Sequence, residues 1–183
     1  MHRAPFLALL ERYAARHPDE ADCCTRYTQF VKTHPDCFRR ELEVGHITGA
    51  AWILDKSGTR ALLTHHRKLD LWLQLGGHVD GNPDVLTAAA REAFEESGIA
   101  SLQPVSPEIF DLDIHPIPAR GGEPEHFHYD ARFLFRVTDC EDFIVSDESH
   151  DLAWAQLEKL GDYTDEESIH RMAAKTPRYA LRS

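Results

Sequence analysis

Four cysteines are too few and too awkwardly spaced for a disulfide scaffold. Cys23 and Cys24 are neighbours, Cys37 and Cys140 stand apart, and no Cys-x-x-Cys occurs. A chain of 183 residues does not need such staples, and the pattern favours a reducing, cytoplasmic setting. Basic residues are also scarce: 20 stand against 31 acidic ones, for a formal net charge of −11. That balance argues against a general nucleic-acid-binding surface, which needs a basic footprint. A metal ion could mediate contact with anions instead. No apolar run approaches the roughly 20 residues of a membrane helix. Residues 6–10 are apolar but lead at once into Glu11 and Arg12, so they read as one helix face and not as a secretory segment. There is no internal repeat.

What is present fits a globular domain with an appendage. Hydrophobic residues make up 42% and charged residues 28% of the chain, enough apolar material for a sizeable core. Residues 1–45 read as an N-terminal helical extension. Phe6, Leu9, Leu10 and Tyr13 recur at helical spacing up to His17-Pro18; Tyr27, Phe30 and Val31 mark a second helix that stops at His34-Pro35. Packing on the main body is their expected role, ahead of a lid or a dimer contact. From His46 the period changes. Residues 47–54 and 60–64 flank the turn Asp55-Lys56-Ser57-Gly58 as a hairpin. Residues 68–75 form a loop or short strand before Gly76-Gly77. The clearest helix spans 82–97, with Asn82 as N-cap, Pro83 in the first turn, an apolar stripe of Leu86, Ala89, Ala90 and Ala93, and Gly98 as its stop. Further strands are expected at 108–114 and 126–137, then a strand end at Trp154 and a last helix over 165–174.

The chemistry-bearing stretch is Gly76-Gly77-His78-Val79-Asp80-Gly81-Asn82-Pro83-Asp84, followed by Arg91-Glu92-Ala93-Phe94-Glu95-Glu96-Ser97-Gly98-Ile99. Glu92, Glu95 and Glu96 stand at i, i+3 and i+4 and share one helical face. Each like-charge pair costs about a few tenths of a kcal/mol when exposed and more when partly buried. A bound divalent cation reverses the sign of that interaction, and hard carboxylate oxygens suit Mg2+ or Mn2+. Arg91, one turn before Glu95, can orient a carboxylate by a bidentate contact. A solvated acidic face is the ordinary meaning of such charges. Here the glycine-rich loop ahead of the helix, the arginine beside the first glutamate and the closing Gly98-Ile99 make the pattern far more specific.

This stretch resembles the Nudix box, the signature of a hydrolase superfamily, written G-x5-E-x7-R-E-U-x-E-E-x-G-U with U a bulky aliphatic residue. Gly77, Arg91, Glu92, Glu95, Glu96, Gly98 and Ile99 stand at the matching positions. Pro83 replaces the box glutamate, with Asp84 beside it and Asp80 before it, and Ala93 is small for its aliphatic position. The resemblance implies an α/β fold for residues 46–183: a Nudix-type α/β/α sandwich around a mixed sheet. It implies a metal-dependent hydrolase that cleaves a pyrophosphate bond in a nucleoside diphosphate linked to another moiety. Carried over residue by residue, Glu92, Glu95 and Glu96 bind the divalent metal, Mg2+ or Mn2+, helped by the Gly76 carbonyl. Glu92 held by Arg91, or a carboxylate outside the box, is the general base. Glu148 leads the outside candidates, ahead of Glu141 and Asp147. The loss of the box glutamate leaves room for an alternative, a Nudix-fold ligand-binding or regulatory module without turnover. The implied partner is a small nucleotide-like molecule, and a homodimer is common among similar proteins.

Twelve histidines are many for this length. His126, His128, Asp130 and Arg132 alternate with Phe127, Tyr129, Ala131 and Phe133, so the polar four share one strand face. Facing a pocket, Arg132 would hold a phosphate while His126 and His128 bind substrate, with His78 reaching in from the glycine loop. Two other readings stand beside it: a buried polar network, and a transition-metal site built on His126 and His128 with Asp130. His46, at the start of an apolar strand, reads as a buried, hydrogen-bonded histidine. Trp72, just before the glycines, could stack on a nucleobase; Trp52 and Trp154 read as core or rim.

Overall fold

The computed structural model describes residues 2–120, 122, 124–147 and 149–180. Its central strand is β1 (Gly45–Leu54), buried at every position. A strand hidden on both faces needs a near-continuous run of apolar and small residues, and Ile47 to Leu54 supply one. On one side β1 runs parallel to β7 (His126–Val137), in register from Gly45↔Phe127 to Leu54↔Arg136. The other side is shared. Beside the turn, β1 meets β2 (Arg60–His66) at Leu54↔Ala61; farther along it pairs with β4 (Leu75–His78), from Ala51↔Leu75 to Thr48↔His78. The hairpin of the sequence reading therefore forms but opens, and the glycine strand enters beside β1. β3 (Leu71–Leu73) and β8 (Ser149–Gln156) pair with β2, while β5 (Leu102–Pro104) and β6 (Asp111–Ile117) pair with β7, all antiparallel. Together they make a mixed, eight-stranded sheet.

Alternation along the strands sorts side chains into two cores. Ile47, Ala51, Ile53, Leu62, Phe133 and Phe135 pack with helix α3 (Val85–Ser97) and with the N-terminal helices α1 (Ala4–Arg16) and α2 (Ala21–Thr33). Trp52, Leu54, Leu63 and Leu134 lie in the second core with Ile169 and Met172 of α4 (Glu167–Lys175). Helices thus cover the two faces of the sheet, the layering the sequence led us to expect. The chain ends in a short α5 (Pro177–Ala180).

α1 and α2 form where their hydrophobic spacing placed them. Phe6, Leu10 and Tyr13 from one and Cys24, Tyr27, Phe30 and Val31 from the other are buried in the same core as β1. The Tyr27 hydroxyl donates to the Tyr129 carbonyl at 2.7 Å, and Phe30 stacks on the Tyr129 ring. These helices pack on the main body. Cys24 faces inward, Cys23 is half-buried, and all four cysteines are free.

One boundary differs. α3 starts at Val85 and its N-cap is Asp84, whose carboxylate accepts from the Thr87 amide at 3.1 Å and from its hydroxyl at 2.8 Å. The Asn82 side chain instead accepts from the Asp84 amide, a local turn two residues long, and Pro83 stays outside the helix. Gly98 closes α3 in the left-handed conformation, as expected. No helix among the described residues is long and apolar enough to cross a membrane.

Candidate active site

β4 and α3 meet at the glycine pair. A Cβ at Gly77 would lie 2.7 Å from the Glu92 carboxyl carbon, so the absent side chain is the space that Glu92 fills. The Gly76 amide donates to Glu96 Oε1 at 3.2 Å, and Glu96 is 9% exposed. Arg91 ties these parts together. Its Nη2 lies 2.8 Å from Glu92 Oε1 and donates to the His78 carbonyl at 2.9 Å, while Nη1 donates to Glu95 at 3.2 Å. Asp80 stands at the edge of this set, 3.9 Å from Arg91, and pairs closely with Arg40. The Arg40 hydrogen bond holds its carboxyl below the usual carboxylate range.

The helical spacing gives the three glutamates different settings. Glu96 is buried under the β4 backbone, Glu92 is pressed on Gly77, and Glu95 is exposed. A purely solvated face would need neither the glycine cradle nor the arginine clamp. The donors are hard oxygens, the chemistry that fits a divalent cation such as Mg2+ or Mn2+. Gly76, expected to offer its carbonyl to the metal, also uses its amide to position Glu96.

Candidates outside the box fare differently. Glu148 lies outside the described residues. Glu141 is engaged by Arg60 at 2.6 Å and by the Lys56 amide at 2.9 Å, so it braces the β1–β2 turn. Asp147 is exposed. Trp72 stacks on His65 and meets Tyr163 edge-on, contacts within the fold.

Arg132 corrects an expectation. It is 2% exposed, and its three guanidinium nitrogens face Asp130 at 2.7 Å, Asp111 at 3.1 Å and Asp113 at 3.3 Å. A group enclosed by three carboxylates is not available to a phosphate. Arg171 and Lys175 of α4 join the same cluster at Asp111, 2.8 and 2.6 Å away. Burial alone would raise the Asp111 pKa; the Arg171 hydrogen bonds and the charges of Arg132 and Lys175 outweigh it and hold the carboxyl below its ordinary value.

The histidines, by contrast, converge. The parallel register sets His46 opposite His128, and the β1–β4 register sets Thr48 opposite His78. One ring nitrogen from each of His46, His78 and His128 lies within 4.8 Å of the others. His126 stacks against His46 at 5.0 Å between centroids, and His115 meets His128 edge-on at 5.5 Å. His46 is 3% exposed, yet neither of its ring nitrogens has a hydrogen-bond partner. It is buried as expected; the Leu42 backbone acts on its ring and raises its pKa slightly, but falls short of hydrogen-bond geometry. Burial lowers the pKa of His46 to about 4 and that of His128 to about 2, with the neighbouring imidazoles acting in the same direction. Asp130, expected beside His126 and His128 as a ligand, turns to Thr48 and Arg132 instead.

The place of His46 beside His128 was hidden because strand pairing over a long stretch of chain brings the two together. The available signal was a histidine near one end of each of three strands.

The NUDIX domain family model matches residues 45–175. Solved structures share the fold at low identity. An Ap4A hydrolase from C. elegans superposes with a TM-score of 0.60 at 22% identity, over 73% of this chain and 96% of that one. A NUDIX-family hydrolase from Clostridium perfringens gives 0.57 at 23% identity, over 73% and 97%. The MutT protein from Methanosarcina mazei Go1 gives 0.55 at 21% identity, over 77% and 99%. No curated protein matches the sequence. The family pattern spans most of the chain and has the Gly77–Arg91–Glu92 clamp inside it; the chain belongs to the NUDIX family of hydrolases.

Proposed function

We propose that this protein is a divalent-metal-dependent hydrolase that cleaves a pyrophosphate bond in a nucleoside diphosphate linked to another moiety. One observation carries the reading: a single guanidinium, that of Arg91, engages Glu92, Glu95 and the His78 carbonyl while Gly77 leaves Glu92 its space. That clamp fixes the loop to the helix and holds two of the carboxylates, while the Gly76 amide holds the third, Glu96. Mg2+ or Mn2+ held by Glu92, Glu95 and Glu96 beside the Gly76 backbone would neutralise phosphate oxygens and make water a better nucleophile. Glu92, oriented by Arg91, takes the proton from the attacking water, with Glu148 as the alternative base. Arg91 also spreads positive charge beside two of the three acids, which keeps the cluster from splaying through mutual repulsion.

The likenesses in fold set the assay panel: Ap4A, the named substrate of one neighbour, and dihydroneopterin triphosphate, that of another, together with nucleotide sugars. Release of phosphate, pyrophosphate and the nucleoside or pterin monophosphate is followed in Mg2+, in Mn2+ and in EDTA. Turnover is expected only with metal, and activity undiminished in Glu95→Gln and Glu96→Gln would sink the mechanism.

A second reading, a ligand-binding module without turnover, rests on residues 83 and 84. Pro83 stands where the box has a glutamate, and the adjacent Asp84 spends its carboxylate on the helix cap. A panel compound that raises the melting temperature strongly yet stays intact with metal present would favour it.

A further inference from the structure

We propose that His46, His78 and His128 form a binding site for a transition-metal ion of the zinc class, separate from the glutamate cluster. Three adjacent strands contribute: β1 gives His46, β4 gives His78 and β7 gives His128. Their nearest ring nitrogens lie within 4.8 Å of one another. Tetrahedral zinc with bonds of about 2.0–2.1 Å sets its nitrogens roughly 3.3 Å apart, so small side-chain rotations close the set on an ion.

An independent observation points the same way. His46 is buried, and neither of its ring nitrogens meets a partner in good hydrogen-bond geometry, the nearby Leu42 backbone included. A buried polar group left unmatched is costly, and an ion is one of the few things that resolves it. A stack of imidazoles serving only as packing would leave that cost in place.

The surroundings resemble the outer support of a metal centre. The His126 ring contacts the Pro124 carbonyl through Nδ1 at 2.9 Å, and the His115 ring contacts Asp113 through Nδ1 at 3.0 Å. Both contacts orient rings that border the trio and leave their Nε2 atoms uncommitted to those partners. His126, 5.0 Å from His46 and 5.3 Å from His128 between centroids, is positioned to be a fourth donor. The trio contains only imidazole nitrogens. Such donors favour zinc, nickel, cobalt or copper over the hard cations that carboxylates prefer.

The site also touches the clamp. The ring of His78 belongs to the trio, while the carbonyl of the same residue accepts from Arg91. An ion would therefore pin β4 to β1 and β7 from one side as Arg91 pins it to α3 from the other.

The test uses untagged, chelator-stripped and dialysed protein, titrated with zinc chloride by calorimetry and thermal shift, and with cobalt chloride by visible absorption. Wild type is expected to bind one zinc ion per chain and to melt at higher temperature with it. Glu95→Gln/Glu96→Gln keeps this binding. His78→Gln and His128→Gln, checked as folded by circular dichroism, weaken it by roughly a hundredfold or more, since loss of even an outer partner costs 10–100-fold. Wild-type protein alone gives a further reading: Co2+ should show an intense tetrahedral spectrum that excess Mg2+ does not abolish. No zinc binding to wild type, unchanged affinity in both histidine variants, loss of binding in the glutamate variant, or a Mg2+-displaceable Co2+ spectrum would each overturn the proposal. Because the two sets of variants are separate, loss of hydrolysis and loss of zinc are told apart.

Discussion

Glu92 occupies the volume that a side chain on residue 77 would take. This contact separates activity from stability. In Gly77→Ala the obstructed group is the end of a long side chain, so the carboxylate moves and the backbone need not. The melting temperature should stay near wild type while kcat falls about a hundredfold, the scale of a 1 Å misplacement of a reacting group. Paired kinetics and thermal melts check this; a large stability loss with normal kcat in the folded fraction would contradict it. On the proposed mechanism Glu92→Gln removes the proton acceptor, and kcat should drop by roughly 10²–10⁴-fold with little change in KM. Arg132 supplies the contrasting lesson. The sequence puts it on the same strand face as His126 and His128, yet it is consumed by three aspartates. Period-two spacing tells which residues share a face. It does not tell which stretch of that face opens outward.

At the level of elements, α3 is held by its ends. Asp84 caps two donors of Thr87 at the start and Gly98 turns the chain at the end. Asp84→Ala should cost about 1 kcal/mol of stability, within the usual 0.5–2 kcal/mol for a lost cap, and Asn82→Ala less, since Asn82 supports only the approach. Urea midpoints for the two variants decide it; the reverse order would restore Asn82 as the cap. The box glutamates, their helix and Gly98 were legible because they depend on neighbours in sequence. So were the two N-terminal helices, whose buried residues Phe6, Leu10, Tyr13, Tyr27, Phe30 and Val31 keep helical spacing. The cap was misplaced by two residues because Asn82 and Asp84 are both good cap residues and only the backbone path past Pro83 separates them. A buried polar network on the face of Asp130 and Arg132 was one open reading, and Arg132 forms it with Asp130; its further partners Asp111, Asp113, Arg171 and Lys175, like the entry of β4 beside β1, were not legible, since each is decided by segments far apart in the chain.

For the whole molecule, the Asp111 cluster is the cross-brace between layers. Asp111 and Asp113 on β6 bind Arg132 on β7 and Arg171 on α4, and Lys175 links Asp111 to the Tyr13 hydroxyl of α1. Both carboxyls are held below the ordinary value of 3.8 in the fold. As acid is added the unfolded chain therefore binds these protons first. Their stabilisation is fully present above about pH 4 and drains away as pH falls toward the folded-state values. Wild-type urea midpoints should decline along that limb. Asp111→Asn should be destabilised by about 3–5 kcal/mol near neutral pH, because it removes the buried carboxylate that Arg132, Arg171 and Lys175 share, and should show a shallower acid decline. An unchanged slope would assign the acid sensitivity elsewhere.

The parallel union of β1 with β7 carries a kinetic corollary. Thr48 and Asp130, joined across it, are 82 residues apart in the chain. No local hairpin can nucleate such a pair, so a long loop must close before the sheet acquires its middle. Refolding should accordingly run on the millisecond-to-second scale of distant contacts rather than the microseconds of helical bundles, with helices registering in circular dichroism before the fluorescence of the three tryptophans reports the closed core.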